Sequence, residues 1–469
     1  MSDEALTLPQ LEQDEATTAG NFFVSNYPPF SQWSAEHVPA VHERLAQPGD
    51  PSRPLGLYVH IPFCRKRCHF CYFKVYTDKN KDEIRDYLDA VIAEISAVAK
   101  TPYINGRQLD FIYFGGGTPS YLSDKQLTYL FEGLQHALPW DAAREVAFEC
   151  EPGTLNAKKV PRLRELGVTR LSLGIENFND DILELNNRAH RSKQVYAAYE
   201  WVKDAGFPQV NIDLIAGMLG ETEANWQRNI DTTLELEPDA VTIYQMEVPY
   251  NTTIYKQMKE EGQAEAPVAD WATKRRWVTQ AYEALEAQGY EVGSAYTATK
   301  PTPRGEKVQF VYRDALWGGA DMLAVGVSSF GHLGAPMQDS PATTSPRLDA
   351  PGGVHFQNHS DIVAYVSAAL GETRPAAAVS RALPITREEA LIRQWVLQLK
   401  LGRVSRKPFI EKFGVDPFER WAGILREYEQ RGYLRIEGDE LILDRQSLLQ
   451  VDRLLHAFFL PKHRDVRYA

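Results

Sequence analysis

Six short apolar, β-prone runs recur along the first half of the chain, each followed by a segment of helical period. They are LYVHIPF (57–63), LDFIYFGG (109–116), EVAFECEP (145–152), RLSLGIE (170–176), VNIDLIAG (210–217) and AVTIYQMEV (240–248). This alternation predicts βα units around a parallel sheet, an α/β fold. In the segment after the first run, Ile84, Leu88, Val91, Ile92, Ile95 and Val98 fall on one face and the charges on the other. The runs are nearly continuous in apolar residues, so burial on both faces is expected. Catalytic groups of such folds gather where strands end. Those ends carry Cys64, Gly115 to Pro119, Glu149 to Pro152, Glu176, Asp213 and Gln245.

Around this core the chain divides by composition. Residues 1–20 read as a flexible acidic tail, and 21–54 as an aromatic, proline-rich approach segment. A barrel with accessory strands is expected over 55–338 and a Pro/Ser/Thr/Gly-rich loop over 339–353. Residues 354–469 should form a smaller, mostly helical, winged-helix-like domain. It has helical patterns at 386–400 and 417–431 and a hairpin at 432–444, turning at Glu437-Gly438-Asp439. Trp395 and Leu399 read as core, and the basic C-terminal PKHRDVRY as solvated.

The length, 469 residues, is roughly three typical domain lengths. Charged residues are 24% and hydrophobic ones 43%, ordinary globular usage that argues against disorder or coiled coil. The net charge of −12 speaks against nucleic acid or anionic lipid as a partner, since phosphate contacts need clustered cations. The acidic N-terminus lacks the apolar core of a secretory signal. There is also no apolar run of membrane-spanning length. A cytoplasmic protein acting on a small-molecule substrate is expected.

Three of the four cysteines, Cys64, Cys68 and Cys71, form a C-x3-C-x2-C spacing. Crowded cysteines in a reducing compartment point to metal or redox chemistry rather than a disulfide. Three thiolates on a tight loop can hold three corners of a [4Fe–4S] cluster. They leave the fourth iron open, whereas electron-transfer clusters use four cysteines. Cys150 is remote in sequence and reads as a buried strand cysteine. Arg65, Lys66 and Arg67 should lower the thiol pKa values. Zinc held with His69, or merely structural cysteines, remain alternatives.

Gly115-Gly116-Gly117-Thr118-Pro119 follows the second run. Its bare backbone can approach a ligand's ammonium and carboxylate closely, or simply make a tight turn. Glu149, Glu151, Glu176, Arg188 and Asp213 are polar residues at buried strand ends or just beyond. They are suited to ribose hydroxyls, an amino group or a carboxylate, or else to caps and salt bridges.

Taken together, YVHIPFCRKRCHFC, FGGGTP, FECEP, RLSLGIENFN, NIDLIAGM and LGET resemble the radical S-adenosylmethionine (SAM) superfamily. Within it they resemble the oxygen-independent coproporphyrinogen-III oxidase-like branch, over about residues 25–460. WGGADMLAVGVSSFG (317–331) is similar to a further motif of that branch. The resemblance implies a partial (β/α)6 TIM-like barrel with a [4Fe–4S] cluster on Cys64, Cys68 and Cys71. SAM should bind the open iron and be reductively cleaved to a 5′-deoxyadenosyl radical, with a flavodoxin- or ferredoxin-type electron donor. By motif position, Tyr58, Phe70, Gly115, Gly116, Gly117, Thr118, Glu149, Arg188 and Asp213 should contact SAM. A second SAM should lie near Glu176 and Ile215.

The chain departs from the oxidase pattern at three places. Tyr72-Phe73 stands where oxidases carry a glycine and a fourth cysteine. Phe22-Phe23-Val24 stands near where they carry Arg-Tyr-Thr, removing a cation that a tetracarboxylate substrate would use. Arg65 to Arg67 or Lys74 are the compensating cations available. Glu176 stands where glutamine is usual, and a carboxylate cannot donate hydrogen bonds as an amide does. These departures favour methyl or methylene transfer from a second SAM, with Glu176 and Tyr72 as candidate catalytic residues. The alternatives are oxidative decarboxylation of coproporphyrinogen III and heme carriage, the latter with His60, His190 and His332 as candidate ligands.

Overall fold

The computed structural model describes Leu8, Leu11 and residues 15–20, 22–301, 308–336, 347–371 and 374–464. Every one of the six apolar runs is a strand: β1 (Leu55–Ile61), β2 (Phe111–Gly116), β3 (Glu145–Cys150), β4 (Arg170–Glu176), β5 (Gln209–Ala216) and β6 (Ala240–Gln245). They lie side by side in chain order and all pair in parallel. The crossover helices explain why. Lys81–Val98 starts at a capping box, with Asn80 accepting from the Glu83 amide and Glu83 reaching back to Asn80. It buries Ile84, Leu88, Val91, Ile95 and Val98 against the sheet.

Further strands extend both edges. Beyond β6 lie β7 (Glu291–Val292) and β8 (Thr297–Thr299), antiparallel. Beyond β1 come β9 (Asp321–Val325), which is parallel to it, then antiparallel β10 (Phe330–Gly334), β11 (Pro351–Asn358) and β12 (Val379–Thr386). Among the described residues the sheet has twelve strands in the order β12-β11-β10-β9-β1-β2-β3-β4-β5-β6-β8-β7. Here the structure differs from the boundaries read in the sequence. β11 and β12 belong to the main sheet, so the second unit begins at Arg387 rather than 354. Most of the 339–353 loop lies outside the described residues.

The second unit has its own core of Leu391, Trp395, Leu399, Phe409, Trp421, Tyr428 and Phe458. Helices Arg387–Leu399, Lys407–Phe413 and Ala422–Gln430 pack with β13 (Arg403–Ser405), β14 (Leu434–Glu437) and β15 (Glu440–Leu443). Those strands form a small antiparallel sheet in the order β13-β15-β14, and Gly438 takes positive φ (62°) at the hairpin turn. This matches the winged-helix-like expectation. Val24 and Tyr27 from the approach segment join the same core.

Both termini pack more closely than their composition suggests. Within the expected tail, Thr18 bridges to Glu265 and Gly20 to Val248, so residues 15–20 lie on the barrel. The rest of that tail falls outside the described residues apart from Leu8 and Leu11. At the other end His463 is buried against the Tyr27 hydroxyl (2.7 Å), so PKHRDVRY is anchored at its start rather than solvated throughout. Residues 465–468 of it lie outside the described residues. Among the described residues no helix is long and apolar enough to cross a membrane.

Candidate active site

The parallel register brings the strand ends to one rim. Ile61 lies opposite Gly116, Glu149 opposite Ser172, Gly174 opposite Asp213, and Ala216 opposite Gln245. A cavity of about 780 Å³ opens there. That is near the upper end of the roughly 300–1,000 Å³ usual for ligand sites. Cys64, Cys68 and Cys71 line it, together with Phe70, Gly116, Gly117, Thr118, Glu149, Glu176, Arg188, Asp213 and Ile215. Tyr58 and Gly115 stand one layer back. Tyr58 stacks on Tyr113 with ring centroids 6.0 Å apart and hydrogen-bonds His60 (3.1 Å).

The cysteine loop is pinned at both ends. The Cys64 amide donates to the Tyr76 carbonyl (3.0 Å), and the Cys71 amide to that of Cys68 (3.1 Å). Burial pushes the Cys64 thiol up to about 12 and the Cys71 thiol up to about 11. The expected lowering by Arg65 to Arg67 is therefore corrected: desolvation wins. Arg65 donates to the Gly153 carbonyl (2.7 Å), and Arg67 to the carbonyls of Cys71 (3.1 Å) and Asn251 (3.0 Å). The guanidinium on a thiol is instead Arg188, 3.3 Å from Cys68 Sγ. Metal binding replaces such thiol protons, which removes the cost of burying free thiolates.

Among the described residues, no three His, Cys, Asp or Glu side chains stand close enough to share one metal ion. The three thiols nonetheless face one cavity and feel each other's charge. Zinc draws its sulfur ligands to about 2.3 Å, whereas a cluster holds each cysteine on a separate iron, farther apart. His69 also turns away from the zinc role, its Nδ1 lying 3.1 Å from the Leu185 carbonyl.

The glycine loop is required by packing as well as by any ligand. A Cβ on Gly117 would fall 2.9–3.0 Å from the backbone of Ile61, Pro62 and Phe63. Gly116 takes positive φ (115°), and a Cβ there would strike the His60 ring. Gly117→Ala is therefore expected to destabilise the fold by about 1–3 kcal/mol and to push the loop off the cysteine strand. Iron content after anaerobic reconstitution, and the thermal midpoint, check this; unchanged values would refute it.

Three half-buried carboxyls converge beside one guanidinium. Glu149 accepts from the Tyr113 hydroxyl (2.5 Å) and the Gly116 amide (3.1 Å). Asp213 accepts from Ser172 (2.8 Å) and Asn211 (2.9 Å). Glu176 ends β4 at a register shift, with φ of 66°, and lies 3.5 Å from Arg188. Burial pushes Glu149 and Glu176 up to about 7, and raises Asp213. An excess of carboxyls over cations in a desolvated cavity fits a ligand carrying positive charge and hydroxyls. The sulfonium, ammonium and ribose of SAM are such groups.

Periodicity could have found Ser172, Gly174 and Glu176, or Asn211, Asp213 and Ile215, since alternate strand residues share one face. No comparable signal marks Phe22, Phe23, Tyr244, Glu247, Tyr296, Gln450 or Arg453, which the tertiary fold adds to the cavity. Tyr72 lines it, as expected, and stacks on Phe73 with centroids 4.4 Å apart. Lys74 pairs with Asp361 (3.4 Å) and is not a lining residue.

Residues 58–232 match the family model described as the radical SAM superfamily. That stretch of the chain is a radical SAM domain. Its cofactors are accordingly a [4Fe–4S] cluster and SAM, and the cysteine loop and carboxyl-rich cavity fit them. The chain is 27% identical over 452 residues to an oxygen-independent coproporphyrinogen III oxidase of Synechocystis, covering 92% of this chain and 91% of the relative. It is 28% identical over 404 residues to a heme chaperone, HemW, of Bacillus subtilis, covering 86% and 98%. Coproporphyrinogen III oxidase from Escherichia coli superposes with a TM-score of 0.77 at 22% identity, over 95% of this chain and 99% of that one. At that identity the likeness speaks to the fold. The chain is a radical SAM enzyme of the branch these relatives represent.

Proposed function

We propose that this radical SAM enzyme oxidatively decarboxylates a propionate-bearing porphyrinogen of the coproporphyrinogen III kind. The observation that carries the reading is the continuity of the cavity at the strand ends. Its wall runs from the three cysteines to cations of two other elements, Arg275 on the helix Trp271–Ala287 and Arg453 on the helix Val451–Leu455. These supply positive charge that the approach segment lacks. When bound, the cluster and SAM supply a carbon radical that removes a hydrogen atom. The protein's share is to hold the side chain to be oxidised, with Phe22, Phe23, Tyr244 and Tyr296 excluding water around it. Loss of that hydrogen atom from –CH2–CH2–COO⁻ leaves a radical. It yields a vinyl group as carbon dioxide departs and one electron passes to an external one-electron acceptor.

A relative named as an oxidase, matched over 91% of its length, supports this reading, and methylene transfer has no counterpart among the relatives described above. Heme carriage is a second reading, favoured by the match to 98% of a heme chaperone. It would need axial ligands other than those read in the sequence. His60 is held by Tyr58 (3.1 Å), His190 by Glu151 (2.8 Å) and His332 by His355 (3.1 Å).

The test is an anaerobic turnover with coproporphyrinogen III, SAM and dithionite, the last standing in for a flavodoxin- or ferredoxin-type donor. Carbon dioxide and 5′-deoxyadenosine should appear together. S-adenosylhomocysteine without carbon dioxide would hand the site to methylene transfer. Stoichiometric heme retention without any turnover would hand it to carriage.

A further inference from the structure

One wall of the cavity comes from the C-terminal unit and contains buried polar atoms that the protein leaves unsatisfied. The Gln245 amide, at the end of β6, donates to the Leu449 carbonyl (2.9 Å), which joins the barrel rim to residues 448–453. Gln245 Oε1, Gln450 Oε1 and Arg453 Nη1 are buried there without a hydrogen-bond partner, and all three residues line the cavity. Buried donors and acceptors are ordinarily paired, and such exceptions mark places where a bound molecule completes the pairing. The other arm of the guanidinium, Arg453 Nη2, holds the Glu15 carboxylate of the N-terminal segment. A carboxylate of the chain itself thus already sits on this cation inside the cavity.

We propose that Arg453 is the carboxylate-binding residue of the substrate site, where a substrate carboxylate displaces Glu15 while Gln245 and Gln450 accept N–H groups of the same molecule. A guanidinium engages a carboxylate through two parallel N–H donors, whereas here only one arm is used. The neighbouring Asp452 cannot take the role of counter-ion. It is held by Lys400 (2.7 Å), the Val24 amide (2.7 Å) and the Tyr296 hydroxyl. Those contacts fix the short helix that aims Arg453. The ligand class that satisfies all three orphaned atoms is a polycarboxylate bearing N–H donors. The inference rests on the porphyrinogen reading and names the cation that reading requires.

The test uses the full chain and coproporphyrin III as a stable tetracarboxylate probe, with its tetramethyl ester as the uncharged control. Binding is followed by quenching of tryptophan fluorescence, Trp271 being a lining residue. Arg453→Gln should weaken acid binding at least about tenfold and leave the ester unchanged. Glu15→Gln should tighten acid binding, because the internal competitor loses its charge. Should Arg453→Gln lose structure, the Glu15→Gln arm still decides. Wild-type binding of the acid that is unchanged in Arg453→Gln, or weakened in Glu15→Gln, overturns this inference alone. A wild type that binds neither acid nor ester overturns the porphyrinogen reading, and this assignment with it.

Discussion

Replacing Cys68 with alanine is expected to bring reductive cleavage of SAM to background, a loss on the order of 10³-fold or more, equivalent to about 4 kcal/mol of barrier. The argument is local. Three thiols of one loop face the cavity, and the fourth cysteine, Cys150, lines it from the end of β3 rather than from that loop. Cys150 is buried beside Glu149, and burial raises its thiol pKa further than that of Cys64. Arg188, which lies on Cys68 Sγ and reaches Glu176 at 3.5 Å, loses its sulfur contact in the variant and keeps the carboxylate. Iron and sulfide content after anaerobic reconstitution and 5′-deoxyadenosine formed under dithionite measure the outcome. A variant that keeps its cluster and turns over normally would remove the basis for assigning this loop.

The largest effect on stability should come from the opposite end of the barrel. Asp321 begins β9 and is fully buried. It accepts from Arg53 (3.1 Å), Arg107 (2.8 Å) and the Gly334 amide (2.8 Å). The Arg44 charge also lies within its field. Removing Asp321 leaves these guanidiniums only Asp50, 3.6 Å from Arg53, so most of the buried positive charge goes uncompensated, a loss of about 3–5 kcal/mol. Asp321→Ala should lower the thermal midpoint by several degrees, while cluster incorporation at low temperature stays at the wild-type level because the cavity lies at the other strand ends. A loss below about 1 kcal/mol would show that the guanidiniums find other partners or water.

Much of the barrel was legible in the chain because its signals are local. A buried parallel strand reads as a continuous apolar run, and all six runs became β1 to β6. The cysteine spacing and the glycine loop occupy neighbouring strand ends, so sequence order and spatial order agree there. The outer strands read differently. β11 lies within a Gly/Pro-rich stretch and β12 contains Pro384, so neither resembles a buried central strand. The pairing of β11 with β10, and of β12 with β11, moved the start of the second unit to Arg387. The expected lowering of the thiol pKa values failed for a related reason. Three adjacent basic residues do not point at the sulfurs merely because they neighbour them in the chain. Arg188, more than a hundred positions away, does.

The sequence by itself determined the parallel α/β core, the trio of cysteines and most of the SAM-facing polar groups, since each depends on periodicity or on spacing within a few residues. Only the tertiary structure decided which distant segments close the cavity. These are Glu15 and the phenylalanines of the approach segment, Glu247 beyond β6, and Gln450 and Arg453 of the C-terminal unit. The physical reason is that burial, orphaned hydrogen-bonding atoms and charge pairing belong to surfaces brought together by packing. Such surfaces leave no period in the chain to be read.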